Sequence, residues 1–465
     1  MSAFKGKPKF MEPKLFGSSG IRGLANVDLT PTLAVKVGCA VATFSKAKKA
    51  IVGRDTRVSG VMLENALISG FLACGVDVHC LGVVPTPVLA YLTKRLKADV
   101  GIMITASHNP PQYNGIKIFK HNSLSYDEKS QDKIEKVIHN EEYAVAEWRN
   151  LGKAHLIDES HQYLEMIQQN VKLHKQWHVV VDPGCGATSL LAPTIFKNLK
   201  CKVTPVNAQP DGFFPARSPE PNAESLEPLS KIVQALSADI GIAYDGDGDR
   251  VAFLDEKGNF VDFDRLLAAY AAYVIKKNRG GAVVTNVEAS MCVEKMVEAN
   301  GGKVVRTKVG DVYVAEEMKR CNAIFGGEPC GAWIHPQIHY CPDGPLTSVL
   351  VLKALEEKSK KLSEFVDDAP QYPVLRKNFQ CKNETKYRII EKAGAKLKSA
   401  FPKYKELSTI DGVRLSLKGG WVLARASGTE PLIRLTVEGE SLKAANQIME
   451  KTAELVERLV EEVAK

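Results

Sequence analysis

No part of the 465-residue sequence is apolar for long enough to cross a bilayer. The longest such run, Leu266 to Ile275, is ten residues, where a spanning helix needs about 20. The 10 cysteines contain no Cys-x-x-Cys pair, which excludes zinc knuckles and thioredoxin-like motifs. Residues 1–15 lack the apolar segment of a secretory leader. A reduced, cytoplasmic protein is therefore expected, its cysteines serving mostly as small buried hydrophobes. One-signed charge is scarce as well: 62 Lys and Arg against 54 Asp and Glu leave +8, spread along the chain. The densest basic run, Lys5, Lys7, Lys9 and Lys14, reads as a solvated tail rather than a nucleic-acid arm. Neither nucleic acid nor membrane is an expected partner, and an anionic ligand is the one specific use for the surplus. What remains, 45% apolar and 25% charged residues, is the balance of an ordinary globular chain. At roughly 150 residues per domain it has room for about three domains.

What is present first is a repeat. Ala98-Asp99-Val100-Gly101-Ile102-Met103 recurs as Ala238-Asp239-Ile240-Gly241-Ile242-Ala243, and more loosely as Asn322-Ala323-Ile324-Phe325-Gly326-Gly327. Each run has the character of a buried strand and breaks into a polar loop rich in Gly or Pro. Upstream, Ile51 to Asp55, Val179 to Gly184 and Val283 to Asn286 each read as a strand ending in a turn. Helical segments follow at 60–74, 187–199 and 289–300, then further strands such as 76–80 and 303–306. Alternation of strand and helix predicts three related α/β domains with mainly parallel sheets, over 1–155, 156–255 and 256–368. Loops at the carboxyl ends of such strands gather ligands, so three copies imply a cleft shared between domains. Residues 369–465 differ: strands at 413–417, 421–425 and 432–438 lie between helices at 385–400 and 441–464, a small α+β cap. The stripe Ile448, Leu455, Leu459 and Val463 reads as core packing.

Four loops carry candidate chemistry. Thr105-Ala106-Ser107-His108-Asn109-Pro110 holds a serine at a sharp turn beside a histidine, either a nucleophile or group carrier or an ordinary turn. Lys117 follows within reach, able to shuttle protons if its pKa is depressed. Asp245-Gly246-Asp247-Gly248-Asp249-Arg250 sets three carboxylates at alternate positions, which calls for a cation if they converge, the alternative being a plain solvated acidic turn. Oxygen-only ligands favour Mg²⁺ or Ca²⁺. An EF-hand is excluded because Arg250 stands where that loop requires Gly. The D-x-D-x-T/V pattern of haloacid-dehalogenase-like phosphatases is excluded because Asp249 stands at its Thr/Val position. A phosphoryl-transfer site with Arg250 on phosphate fits best. Gly327-Glu328-Pro329-Cys330-Gly331 is equally a sugar-hydroxyl loop or a plain tight turn. Arg425-Ala426-Ser427-Gly428-Thr429-Glu430-Pro431, with Arg434 after it, suits a phosphate dianion, and nearly as well a sulfate or carboxylate. Near the N-terminus, Phe16 to Gly23 forms another Gly- and Ser-rich turn, ending in Arg22 and lacking nucleotide P-loop spacing.

Taken in order, these loops resemble the α-D-phosphohexomutase family over essentially the whole chain. The resemblance implies four domains around a central cleft. It makes Ser107 the phosphoserine and, with Asp245, Asp247 and Asp249, part of a Mg²⁺ site. His108 and Lys117 would assist proton transfer, and Arg22 and Arg250 would stabilise the moving phosphoryl. Glu328 and Cys330, with Lys308, Gly310 and Asp311, would contact the sugar. Arg425, Ser427, Gly428, Thr429 and Arg434 would clamp the non-reacting phosphate. The implied activity interconverts hexose 1- and 6-phosphates, with a hexose 1,6-bisphosphate as intermediate and activator, in a monomer or homodimer. Gly310-Asp311, the 427–431 loop and Glu-Pro-Cys-Gly-Ala-Trp resemble the archaeal branch acting on glucosamine phosphate, with mannose or glucose phosphate as the alternative. Two departures stand out: Cys330 replaces the usual Ser, and Ala332 the frequent His, leaving His335 and His339 as stand-ins or, more simply, core histidines. A non-catalytic phosphosugar-binding protein and a phosphosugar phosphatase are the competing classes.

Overall fold

The computed structural model describes residues 14–17, 19–427 and 430–464. Lys5, Lys7, Lys9, Ser18, Gly428 and Thr429 lie outside them; Lys14 pairs with Asp132 at 3.1 Å. Among the described residues no helix is long and apolar enough to cross a membrane.

The three repeats each build one four-strand order. In the first, Lys49–Arg54 lies parallel between Asp77–Val83 and Val100–Ile104, and Tyr113–Lys120 returns antiparallel beside the latter. In the second, His178–Asp182 lies between Lys202–Pro205 and Ile240–Tyr244, with Val251–Leu254 returning. In the third, Gly281–Asn286 lies between Gly302–Thr307 and Phe325–Gly327, with Trp333–Ile334 returning. The expected parallel ladders are thus each extended by one antiparallel strand. That reversal positions the site: the segment between the last parallel strand and its return must turn sharply at the carboxyl edge, and these turns are residues 105–112, 245–250 and 328–332. Strands Phe16–Gly17, Gly20–Leu24 and Ala154–Leu156 complete the first sheet to seven.

The central strands are apolar on both faces because helices cover both. Val179, Val180 and Val181 are fully buried, as are Ile51, Val52, Val283 and Val284. Helix starts are capped by the residue types that accept backbone N–H groups. Thr30 caps Pro31–Ser45 through Leu33 N, and Asp343 caps Gly344–Lys358 through Leu346 N. One hydrophobic cluster runs from Ile51 and Val84 through Trp177 and Tyr244 to Phe325 and Ala369, joining the first three sheets.

Residues from 374 on form an antiparallel five-stranded sheet in the order Val374–Gln380, Leu432–Gly439, Gly420–Ala426, Val413–Leu417, Glu406–Ser408. Helices Lys386–Ala400 and Leu442–Ala464 cover it. Ile448, Leu459 and Val463 are buried in its own core, with Leu455 packed against it. A small cluster of Val287, Trp421 and Leu423 joins this sheet to the third.

Candidate active site

Ser107 sits in the left-handed region, φ 52°, a conformation an L-residue adopts only under strong constraint. Its N–H donates to Thr105 Oγ1 at 2.8 Å, and Thr105 donates to Asp55 Oδ2 at 2.6 Å. Asp55 is paired with Arg57 at 3.0 Å, both side chains fully buried. The guanidinium then donates to the carbonyls of Ser107 (2.8 Å), Asn109 (2.6 Å), Pro110 (2.6 Å) and Tyr113 (2.9 Å). One planar fork therefore shapes the whole turn. Neither Asp55 nor Arg57 stands out in the sequence, because their partners are about 50 residues away.

The serine Oγ donates to Asp245 Oδ2 at 2.6 Å, and His108 Nδ1 lies 3.4 Å from it. Burial, then Arg250 and Arg22, push the His108 pKa down to about 2, so the imidazole is neutral. Arg22, on the strand paired with Gly115, donates to Asn109 Oδ1 at 3.0 Å, while its Nε is buried without a hydrogen-bond partner among the described residues. Burial first and Arg250 second lower its pKa.

The acidic loop meets the serine loop backbone to backbone. A Cβ on Gly246 would stand 2.5 Å from the Ser107 carbonyl oxygen, so only glycine allows this approach. Asp245, Asp247 and Asp249 each offer one carboxylate oxygen, all within 4.8 Å of one another. Asp247 Oδ1 and Asp249 Oδ1 are buried and accept no hydrogen bond from the described residues. Three converging carboxylates, two of them with an oxygen left open, and no nitrogen or sulfur in the set fit a hard divalent cation such as Mg²⁺.

Asp247 also accepts from Thr86 Oγ1 at 2.5 Å, at the N-terminus of helix Thr86–Arg95, and from Lys117 Nζ at 2.8 Å. Lys117 donates to Asp249 as well, at 2.5 Å. Burial alone would depress the Lys117 pKa, but Asp247 and Asp249 outweigh it and raise it. Burial and its two acidic neighbours push Asp245 well up; for Asp247, Lys117 overcomes burial and the shift is downward. Arg250 stands between loops, 3.8 Å from Glu220 and 4.0 Å from Asp249. Burial opposes its charge, but the carboxylates of Asp249 and Asp245 hold it up.

In the third loop Glu328 Oε1 accepts from Asn286 Nδ2 and Gly310 N, both at 2.8 Å. Burial, then Asp311, raise its pKa. Asp311 reaches the first domain and accepts from Ser19 Oγ at 3.2 Å. Burial pushes the Cys330 thiol up to about 12, so it stays neutral, as the serine hydroxyl it replaces would. Ala332 brings no polar side chain to the loop, and its carbonyl accepts from Glu328 N. His335 and His339 are buried core residues. His339 is used at both nitrogens, by Asp343 at 2.8 Å and by Cys341 N at 3.2 Å, and His335 Nε2 meets Thr347. Neither stands in for the missing histidine. Lys308 lies at the rim, half exposed, 3.6 Å from Glu128 of the first domain.

In the fourth loop Arg425 donates to Glu288 Oε1 at 2.6 Å and lies 3.5 Å from Asp411. Arg434 is its cross-strand partner but points outward, pairing with Glu430 at 2.7 Å. The Ser427 carbonyl accepts from the buried Lys386 at 2.6 Å, a residue that looks in the sequence like any solvated helix lysine.

Residues 13–145, 161–258 and 262–372 match the family descriptions "Phosphoglucomutase/phosphomannomutase, alpha/beta/alpha domain" I, II and III, and 377–455 match its "C-terminal domain". The chain is similar to a protein named probable phosphoglucosamine mutase from Pyrococcus abyssi, 42% identical over 97% of this chain and 99% of that one. It is 43% identical to one named phosphoglucosamine mutase from Methanocaldococcus jannaschii, over 95% and 98%. Among solved structures, a phosphoglucomutase/phosphomannomutase family protein from Burkholderia thailandensis superposes with a TM-score of 0.88 at 28% identity, covering 96% of this chain and 97% of that one.

Proposed function

The chain belongs to the phosphoglucomutase/phosphomannomutase family, and from that premise we propose that it interconverts glucosamine 6-phosphate and glucosamine 1-phosphate through a phosphoserine at Ser107. The observation that carries this reading is the hydrogen bond from Ser107 Oγ to Asp245, which sets a strained, buried serine directly against three converging carboxylates. Phospho-Ser107 gives up its phosphoryl: the Oγ–P bond breaks as a sugar hydroxyl oxygen bonds to phosphorus. The hydroxyl proton passes to a base as that bond forms; His108 lies beside Ser107 and is neutral, and with its pKa pushed down to about 2 it takes the proton only once the phosphoryl charge raises it. The resulting hexose bisphosphate turns end over end, and its other phosphate is returned to Ser107, with the steps reversed.

Mg²⁺, held by Asp245, Asp247, Asp249 and the serine phosphate, would neutralise charge on the transferring phosphoryl. Arg22, Arg250 and the charged Lys117 add fixed positive charge around that group. Glu328 and the Cys330 thiol, with Asp311, meet the sugar. Arg425 and the Ser427 loop hold the distal phosphate, with Arg434 and Lys308 on the rim. A sugar gripped by its hydroxyls and its far phosphate can bind in either direction, which the half-turn of the intermediate requires.

The test is to charge the protein with a hexose 1,6-bisphosphate, read the added phosphoryl by intact mass, and follow 6- to 1-phosphate conversion with Mg²⁺. Glucosamine, glucose and mannose phosphates are run side by side against Ser107→Ala. The amino sugar is expected to lead in kcat/KM by about tenfold or more, a gap of ~1.4 kcal/mol in transition-state binding. A lead for glucose or mannose phosphate would overturn the substrate and keep the mutase. Conversion by Ser107→Ala, or free phosphate in stoichiometric yield, would sink the mechanism.

A further inference from the structure

The three equivalent central strands end in three buried side chains of nearly identical shape: Asp55, Asp182 and Asn286, each at most 2% exposed. In every copy Oδ1 accepts from the backbone N–H two residues on, Arg57 N at 3.0 Å, Gly184 N at 2.7 Å and Glu288 N at 2.9 Å. The other terminal atom serves the functional loop. Asp55 Oδ2 accepts from Arg57 Nε, whose guanidinium grips the carbonyls of the serine loop. Asp182 Oδ2 accepts from Arg217 Nε at 2.9 Å, and Arg217 donates to the Tyr244 carbonyl at 2.7 Å, at the root of the acidic loop.

The third copy inverts the polarity. Its partners fix the amide orientation, since Oδ1 faces an N–H and Nδ2 faces a carboxylate. Asn286 Nδ2 donates to Glu328 Oε1, with no guanidinium between them. Arg306 is used instead on the Asn286 carbonyl at 2.7 Å and on Glu294 at 2.6 Å.

We propose that Asn286 is a positioning residue for substrate recognition: by supplying a donor where the other two copies supply an acceptor, it turns the third loop from a carbonyl scaffold into a presented carboxylate. Glu328 Oε1 takes two donors, from Asn286 and Gly310, so the carboxylate is locked in rotation and Oε2 is left to accept from the sugar. Glu328 is 7% exposed, and no hydrogen bond reaches Oε2 among the described residues. An aspartate in place of Asn286, as in the other copies, would set two carboxylates face to face. Burial and Asp311 already resist charge on Glu328, while the two hydrogen bonds and Arg250 favour it. This inference rests on the reading that Glu328 meets the sugar.

A double-mutant cycle decides it: wild type, Asn286→Asp, Glu328→Gln and the double variant, with kcat and KM for glucosamine 6-phosphate and, separately, Kd by calorimetry. Asn286→Asp is expected to raise KM and Kd by about 10- to 100-fold, the scale of an unmade buried charged hydrogen bond, with kcat within about threefold. In the Glu328→Gln background the same change is expected to cost no more than about threefold, because the new carboxylate then faces a neutral amide instead of a second carboxylate. Equal losses in both backgrounds, or a wild-type KM in Asn286→Asp, overturn the proposal. If Asn286→Asp does not fold, Asn286→Ala takes its place, expected to raise KM about tenfold in the wild-type background and little beside Glu328→Gln; equal rises again overturn it. A wild type that binds but converts nothing would sink the mutase reading alone, leaving Asn286 to stand or fall on Kd; no binding at all would end both.

Discussion

The first three domains and the fourth are joined in different ways. The first three share one continuous apolar core, whereas the fourth keeps its own and touches the third through little more than Val287, Trp421 and Leu423. Its remaining ties are polar. Glu438, fully buried, accepts from Ser290 Oγ, from Met291 N at 2.8 Å and from Trp421 Nε1 at 2.5 Å. Asp411 accepts from Val309 N at 3.1 Å, and Arg425 is held by Glu288. Apolar packing has no alternative partner in water, but a carboxylate–guanidinium tie can be exchanged for a phosphate. The three-domain body thus holds Ser107 and the carboxylates in one arrangement, while one tie of the fourth domain, Arg425 to Glu288, is of the kind that a phosphate can replace. On the proposed reading the reacting groups and the sugar loop belong to the body and the grip on the distal phosphate to the fourth domain, a division that single substitutions can break.

The largest effect is expected from Asp247→Ala, which removes one cation-facing oxygen and the acceptor of both Thr86 and Lys117. Steady-state kinetics should show kcat down by about 10³ or more with KM near wild type; a pure KM effect would make these carboxylates binding rather than reacting groups and break the division. Next is Arg57→Leu, which frees four carbonyls and strands the buried Asp55. A loss of about 3–5 kcal/mol should appear in calorimetry as a lower first transition, with kcat reduced by about 10² as the serine drifts from the phosphoryl.

Arg425→Ala tests the other side. KM for the sugar phosphate should rise by about tenfold or more while kcat moves less, as expected for a lost charge-assisted contact to phosphate. Glu438→Gln sharpens the comparison through stability. It removes an acceptor from a buried hub, so the unfolding transition of the fourth domain should fall by the equivalent of about 1–3 kcal/mol while the body's transition stays put; a joint shift of both would mean that the two regions unfold as one. The smallest effect is expected from Cys330→Ser. With the thiol pKa near 12, both side chains are neutral donors at the pH of assay, and the pH–rate profile should keep its shape with kcat within about twofold.

Much of this arrangement was legible in the residues themselves. The repeated strand-then-loop pattern placed Ser107, the three aspartates and Glu328 at carboxyl edges, because a buried strand needs an unbroken apolar run and the turn after it does not. The hairpin of 413–425 and the helix stripe ending in Val463 were equally plain. Arg57, Thr86, Arg217, Asn286 and Lys386 were not, since each looks like an ordinary loop or helix residue until its partner is known. Arg57 reaches residues about 50 positions away and Thr86 one 161 positions away. Lys117 shows the same limit in its charge: the sequence brings a lysine within reach of the serine, but only two carboxylates folded against it keep it protonated.

Residue order alone settles the family, the three α/β repeats, the antiparallel cap and the four loops, because periodicity, turn chemistry and motif order are local properties. Folding in three dimensions settles the rest: which loop atoms face one another, which aspartates are left with open oxygens, and that Asn286 inverts the hydrogen-bond polarity of its two counterparts. Those outcomes depend on distances between residues far apart in the chain, and burial and charge act through space rather than along the backbone.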